Sequence, residues 1–416
     1  MEYLKRVIDG ELHDCLRRSG AVLVTGPKAC GKTESARQLA ASEVRFDVDP
    51  NVPILMDTDP GVLLKGAVPR LLDEWQEHPQ IWNHVRHAVD DRRETGQFIL
   101  TGSANPAEKV RLHSGAGRIS RLKMRPMSWW ESGHSTGEVS LKALLDGEVP
   151  KSAIVDITLD QIIERIAIGG WPALVNKSSA DALATNREYF SLITEVDISR
   201  VSERKRDPEK VRRLMVSYAR NIAIATSVST LAEDSLGEDS PLARKTVTDY
   251  IDALTRLMII EDLPAWNTHI RSKTALRSTP KRHFCDPSLA VAALGANIES
   301  LSHDMAFLGF LFESEVLRDL RIFAQSLGAD LWQYRDAKRR ESDIIIQMPD
   351  GNWAAFEVKL GMGQADTGAQ TLLRVAREID TEKTGKCLAL TVITGFGAAH
   401  RRSDNVNVVP LAVLRK

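Results

Sequence analysis

Two apolar runs early in the chain, Ala21-Val22-Leu23-Val24-Thr25 and Gln97-Phe98-Ile99-Leu100-Thr101, lack polar alternation and so predict strands buried on both faces, as a parallel sheet requires. Arg70-Leu71-Leu72-Asp73 predicts the end of a third strand. Helical patterns and turns fill the intervals, so residues 21 to 130 read as an α/β domain. From about residue 140 the pattern turns helical, and it includes the stretch Arg200 to Arg213 with seven basic and three acidic residues, which reads first as a solvated helix face. Ser240-Pro241 supplies an N-cap and N1 pair for a second helical unit. There Val247, Tyr250, Ile251, Leu254, Leu257 and Met258 form one apolar stripe, with Arg244, Lys245, Thr248 and Arg256 off it. Near residue 300 the pattern changes again. Met305 to Ala324 predicts a helix, and Glu341 to Met348 and Asn352 to Leu360 predict two strands joined by the turn Pro349-Asp350-Gly351.

The length of 416 residues suggests about two to four domains. The pattern divides them at 1–135, 136–235, 236–290 and 291–416. With 55 Lys+Arg against 56 Asp+Glu, the formal net charge of -1 excludes a uniformly basic nucleic-acid coat or an acidic tail, while a local basic face remains compatible. Cys15, Cys30, Cys285 and Cys387 form no C-x-x-C pair, which argues against a zinc site or a disulfide framework and fits a reducing cytoplasm. No apolar run reaches the roughly 18 residues that span a bilayer, and the first residues lead into mixed charge rather than a secretory segment. The expectation is a soluble cytoplasmic protein with no membrane partner.

The sharpest chemical signal is Gly26-Pro27-Lys28-Ala29-Cys30-Gly31-Lys32-Thr33, which fits G-x-x-x-x-G-K-[ST] directly between an apolar strand and a helix pattern. Such a loop wraps phosphates in backbone amides, Lys32 neutralises β/γ charge, and the Thr33 hydroxyl is suited to Mg²⁺. ATP with Mg²⁺ is the expected ligand. Hydrolysis also needs a metal-side acid and a base for water. Asp73 and Glu74 end an apolar run and supply both in that order. Thr101-Gly102-Ser103 ends the next strand, where a polar side chain can meet γ-phosphate or the attacking water; a plain turn is the competing reading.

These residues resemble bacterial and archaeal AAA-type ATPases that carry a C-terminal domain of unknown function, DUF4143. The similarity runs through Gly26 to Thr33, Leu72-Asp73-Glu74-Trp75-Gln76, Ile99 to Ser103, Gly117-Arg118, Pro126 to Glu131, Gly169-Gly170-Trp171-Pro172 and Phe356-Glu357-Val358-Lys359. The resemblance implies a P-loop NTPase (AAA-like) parallel-sheet domain and a helical, winged-helix-like middle. It also implies a C-terminal α/β domain similar to the restriction-endonuclease or PD-(D/E)xK nuclease fold. By it, Ser103 looks like a polar sensor, and Arg118 like a γ-phosphate-sensing or finger arginine that acts in trans within a homo-oligomer. Lys28, Ala29 and Cys30 depart from the usual Arg-Gln-Val inside the loop, and Trp75 from the usual Ile. A cysteine there makes oxidation-sensitive ATP binding an expectation.

A second candidate site lies near the C-terminus. Asp343 falls in the first strand of the predicted hairpin, alternation puts Glu357 and Lys359 on one face of the second, and Glu313 interrupts an apolar helical stripe with Phe310, Leu317 and Leu320. Clustered carboxylates with a lysine suit metal-assisted phosphodiester hydrolysis, with Asp343 and Glu357 holding Mg²⁺ or Mn²⁺. The competing reading is a structural ion network or a decayed nuclease, since Glu-x-Lys also occurs at Glu203-Arg204-Lys205. The run Arg335 to Arg340 and the helix from Arg244 to Met258 are candidate DNA contacts. A solvated loop and a protein-docking helix carrying Asp249 and Asp252 are the alternatives. The overall expectation is an ATPase coupled to a DNA-handling, endonuclease-like domain. An ATP-dependent regulator that does not cut, or a protein-remodelling ATPase, stands as the alternative.

Overall fold

In the computed structural model of the chain, residues 2–103, 114–200, 206–235, 241–268, 279–336, 338 and 340–416 are described. Ser240 and the Glu203-Arg204-Lys205 copy of Glu-x-Lys lie outside them, as do Ala337 and Arg339 of the basic run. The chain divides into two compact units. The first holds Met1–Pro126, Val196–Arg206 and Asp252–Ile259; the second holds Met127–Glu195, Asp207–Ile251 and Ile260–Lys416.

The first unit is built on five parallel strands, β1 (Ala21–Thr25), β2 (Ser42–Arg45), β3 (Arg70–Asp73), β4 (Phe98–Gly102) and β5 (Ile119–Lys123), in the order β2-β3-β4-β1-β5. The central strands are buried along almost their whole length, which is why they read as continuous apolar runs. Gln97 stays outside β4, so that strand sits one residue later than its apolar pattern predicts. Ala21, Leu23, Leu72, Phe98 and Leu100 meet Trp75, Ile81, Trp82 and Val85 in one core. Parallel register brings the carboxyl ends of β1, β3 and β4 to one edge of the sheet. Ligands bind at that edge in open α/β sheets.

The second unit combines helices with a mixed six-stranded sheet. Its strands are β6 (Asp330–Arg335), β7 (Glu341–Gln347), β8 (Trp353–Lys359), β9 (Cys387–Thr394), β10 (His400–Arg401) and β11 (Asn407–Pro410), in the order β10-β11-β9-β8-β7-β6. β7 and β8 form the expected antiparallel hairpin, while β8 runs parallel to β9. Helix Ala365–Glu378 lays Ala369, Leu372 and Val375 against Ile345, Trp353, Ala355 and Val392. Helix Met305–Gln325 is buried from Leu311 to Ala324, including five charged residues.

One of these, Arg318, donates to Glu315 (2.6 Å), Asp319 (2.8 Å) and Asp286 (2.8 Å), all three fully buried. The same carboxylates take Trp129 Nε1–H (Glu315, 2.6 Å), Trp129 N–H (Asp319, 2.9 Å) and Gly170 N–H (Asp286, 2.9 Å). Thus the Trp129 and Gly170-Trp171 motifs are anchored inside the second unit by a satisfied ion network, which makes their chemistry structural. Leaving one of these carboxylates unpaired would be costly. Among the described residues, no helix is long and apolar enough to cross a membrane.

Candidate functional site

β1 ends at Thr25 and the chain turns at once into the loop Gly26–Gly31 before helix Lys32–Arg37. Two glycines make this turn. A Cβ at Gly26 would lie 2.4 Å from the Met124 carbonyl oxygen, and Gly31 adopts a left-handed φ of 98°. Arg6 braces the loop, donating to the carbonyls of Cys30 (2.9 Å) and Arg125 (2.8 Å). Lys28 pairs with Asp197 at 2.5 Å. Cys30 is wholly buried behind the loop, so the expected oxidation sensitivity is corrected: an oxidant has no access to that thiol.

Lys32 is buried and folded back, its ammonium donating to the loop's own carbonyls at Gly26 (3.0 Å) and Pro27 (2.9 Å). Thr33 Oγ1 donates to Asp73 Oδ1 at 2.7 Å, and Thr101 Oγ1 donates to the same oxygen at 2.6 Å. Parallel pairing sets Thr101 beside Asp73, a contact that sequence reasoning missed in favour of Ser103. Ser103 is buried and directly follows β4 on the same edge. Glu74 adopts a left-handed φ of 52° and accepts from Gln76 Nε2. Burial raises its pKa, opposed by Gln76 and by the charge of Lys32. A hydroxyl and a carboxylate in contact at the end of a phosphate loop fit Mg²⁺, with Thr33 and Asp73 as its protein ligands.

Arg118 stands apart. It precedes Ile119, which pairs with Ala21 at the start of β1, so it lies at the amino end of the strands, roughly 20 Å from the loop at about 3.3 Å per residue. There its guanidinium donates to Asp90 at 2.6 Å and to the Ala116 carbonyl at 3.2 Å.

The second candidate site is brought together in the second unit. Glu313, Asp343 and Glu357 are buried and line a cleft of about 1080 Å³ with Lys281 and Lys359. The β7–β8 ladder stops at the pair Ile344 and Phe356. Past that point the Val358 N–H turns to Asp343 Oδ2 (3.0 Å), which fixes the carboxylate between the strands. Lys359 Nζ donates to Glu357 Oε1 at 2.8 Å, and Glu357 Oε2 is buried without a hydrogen-bond partner. Lys281 is the residue that sequence reasoning missed. Its ammonium donates to both Glu313 Oε1 (2.6 Å) and Asp343 Oδ1 (2.8 Å). Burial opposes that charge, yet Asp343 and Glu313 raise its pKa. The acids as arranged do not fit a metal: a cation already bridges two of them, and among the described residues no group of three potential ligands is placed to hold an ion.

The flanking basic groups are mostly spoken for. Arg340 pairs with Asp336 (2.6 Å) and with Glu378, and Arg335 lies 3.9 Å from Glu341. On helix Arg244–Arg256 the stripe is buried except for half-buried Ile251, and Arg256 pairs with Asp252.

Residues 18–132 match an AAA domain, residues 159–300 a domain of unknown function (DUF8612), and residues 308–414 a domain of unknown function (DUF4143). The chain is 25% identical over 360 residues to an uncharacterized protein of Mycobacterium tuberculosis and to one of Mycobacterium bovis, spanning 85% of this chain and 74% of each relative. A solved Walker-type ATPase of Pyrococcus abyssi superposes with a TM-score of 0.42 at 12% identity, over 70% of this chain and 96% of that one. A DNA replication initiation factor gives 0.26 at 14% identity, over 60% and 86%. Superpositions this loose add nothing to the fold, which rests on the strand order and register.

Burial, with Asp343 adding to it, pushes Glu313 up to about 7 and Glu357 up to about 8 from the ordinary 4.5. Both acids keep protons in the fold that the unfolded chain has released. Their contribution is therefore full below about pH 4.5 and is lost as pH rises through about 7 and about 8. Thermal unfolding followed against pH should show stability falling over that window, by at most about 1.4 kcal/mol per pH unit for each group. Glu357→Gln should flatten part of the slope; an unchanged slope would contradict the assignment.

Proposed function

We propose, for this AAA-type P-loop ATPase with its C-terminal DUF4143 domain, that ATP is hydrolysed at the edge of the first sheet in the service of a DNA-handling terminal domain. The observation that carries the first half is the convergence of Lys32, Thr33 and Asp73 at the carboxyl ends of β1 and β3. Lys32 leaves the Gly26 and Pro27 carbonyls for the β/γ oxygens of ATP, a stronger acceptor, and the loop amides take the remaining charge. Asp73 and Thr33 hold Mg²⁺, which supplies charge neutralisation on the phosphates. Glu74 is the base: burial makes it a better proton acceptor near neutral pH, and Gln76 fixes one of its oxygens while the other meets water. Ser103 is suited to orient that water or the γ-phosphate. Arg118 would serve the loop of a second subunit in a homo-oligomer.

For the terminal domain two readings compete, a metal-dependent endonuclease and a DNA-binding regulator that does not cut. Lys281, seated between Glu313 and Asp343, favours the regulator.

Phosphate release should fall by at least about 100-fold in Lys32→Ala while the chain stays folded, and unchanged turnover would overturn the loop assignment. Glu74→Gln should still bind ATP with Mg²⁺ yet lose turnover to a similar degree; loss of binding instead would refute its role as base. Incubation of supercoiled plasmid with the protein, ATP and Mg²⁺ or Mn²⁺ should leave the plasmid intact. Cutting that disappears in Asp343→Ala would restore the endonuclease reading.

A further inference from the structure

The cluster in the terminal cleft has the composition of a divalent-metal site and the occupancy of something else. Three acids from three elements converge there: Glu313 from helix Met305–Gln325, Asp343 from β7 and Glu357 from β8. Three of their oxygens matter. Glu313 Oε1 and Asp343 Oδ1 both point at one nitrogen, and Glu357 Oε2 is buried with no hydrogen-bond partner. That nitrogen, Lys281 Nζ, comes from outside both the helix and the β7–β8 hairpin.

Its placement is not an accident of a long side chain. The Lys281 backbone exchanges two hydrogen bonds with Leu263, at 3.0 and 2.9 Å, and bridges to Ala225. The residues after it are fixed just as firmly. Arg282 donates to the Asp262 carboxylate and, at 2.8 Å, to the Thr226 carbonyl, and Asp286 takes the Arg318 guanidinium at 2.8 Å. The segment is thus pinned on both sides, and Lys281, itself buried, is delivered to one point. An ammonium at that point supplies what two buried carboxylates otherwise require of a metal: a cation with several donors, desolvated and held in place.

We propose that Lys281 is the resident cation of this cleft, taking the position of a divalent metal between Glu313 and Asp343, so that the terminal domain holds no divalent ion at this cluster. The proposal rests on the non-cutting reading of the domain and deepens it. It also implies a latent site: without the ammonium, Glu313 Oε1 and Asp343 Oδ1, which converge on its nitrogen, are left to a hard cation, with Glu357 lining the same cleft.

Binding of Mn²⁺ to the nucleotide-free full-length chain, followed by electron paramagnetic resonance of the free ion, tests this directly. The wild type should bind no Mn²⁺ that Asp343→Asn abolishes. Lys281→Met should gain a site that is lost again when Asp343→Asn is added, with an affinity at least about tenfold above wild type. The same variant should melt at lower temperature than wild type in chelator and recover on addition of Mn²⁺, a response the wild type lacks. Lys281→Gln, which keeps a donor but no charge, serves if the methionine variant does not fold. Mn²⁺ bound by the wild type in an Asp343-dependent way would overturn the proposal, as would folded Lys281 variants that gain no site. Metal binding without plasmid cutting would sink this inference alone; cutting would sink the regulatory reading with it.

Discussion

A carboxylate removed from water must meet a cation, a proton or a set of fixed donors. That constraint organises both units of this protein. At the edge of the first sheet, the partners of the Asp73 carboxylate among the described residues are the neutral hydroxyls of Thr33 and Thr101. Around helix Met305–Gln325, Arg318 pairs with Glu315, Asp319 and Asp286, and backbone and indole donors add hydrogen bonds to the same acids. In the terminal cleft, Lys281 bridges Glu313 and Asp343 while Lys359 covers Glu357. Similar acids are thus satisfied in three different ways.

The contrast lies in what each lysine rests on. In the phosphate loop Lys32 rests on neutral carbonyls, so moving it to a phosphate strengthens its interactions. Lys281 already rests on two acids. A competing cation must first displace that ammonium.

Local signals were legible in the sequence, and long-range ones were not. The phosphate loop, β1, β3, the β7–β8 hairpin and helix Met305–Gln325 are each encoded within a short window by apolar pattern and turn residues. The grouping of Glu313, Asp343, Glu357 and Lys359 followed from alternation together with a family resemblance. Lys281 carried no such mark. It lies 62 residues before Asp343 and 32 before Glu313, in a stretch read as part of a different module. The run Lys281-Arg282-His283 directly before Phe284-Cys285 was the available hint, because buried positive charge needs acids nearby. The place of Arg118 was hidden for a related reason. Sequence order says nothing about which end of a sheet a residue occupies, and only the parallel register puts it at the amino end, away from the loop.

The most direct test of the whole account is a crystal structure of the full chain grown with Mn²⁺ and a non-hydrolysable ATP analogue, with manganese located by its anomalous scattering. The account predicts one manganese beside Thr33 and Asp73, with Lys32 moved onto the phosphates, and Lys281 still bridging Glu313 and Asp343 with no manganese there. A manganese held by Asp343 and Glu357, or a Lys32 that stays on the Gly26 and Pro27 carbonyls while the nucleotide is bound, would contradict it.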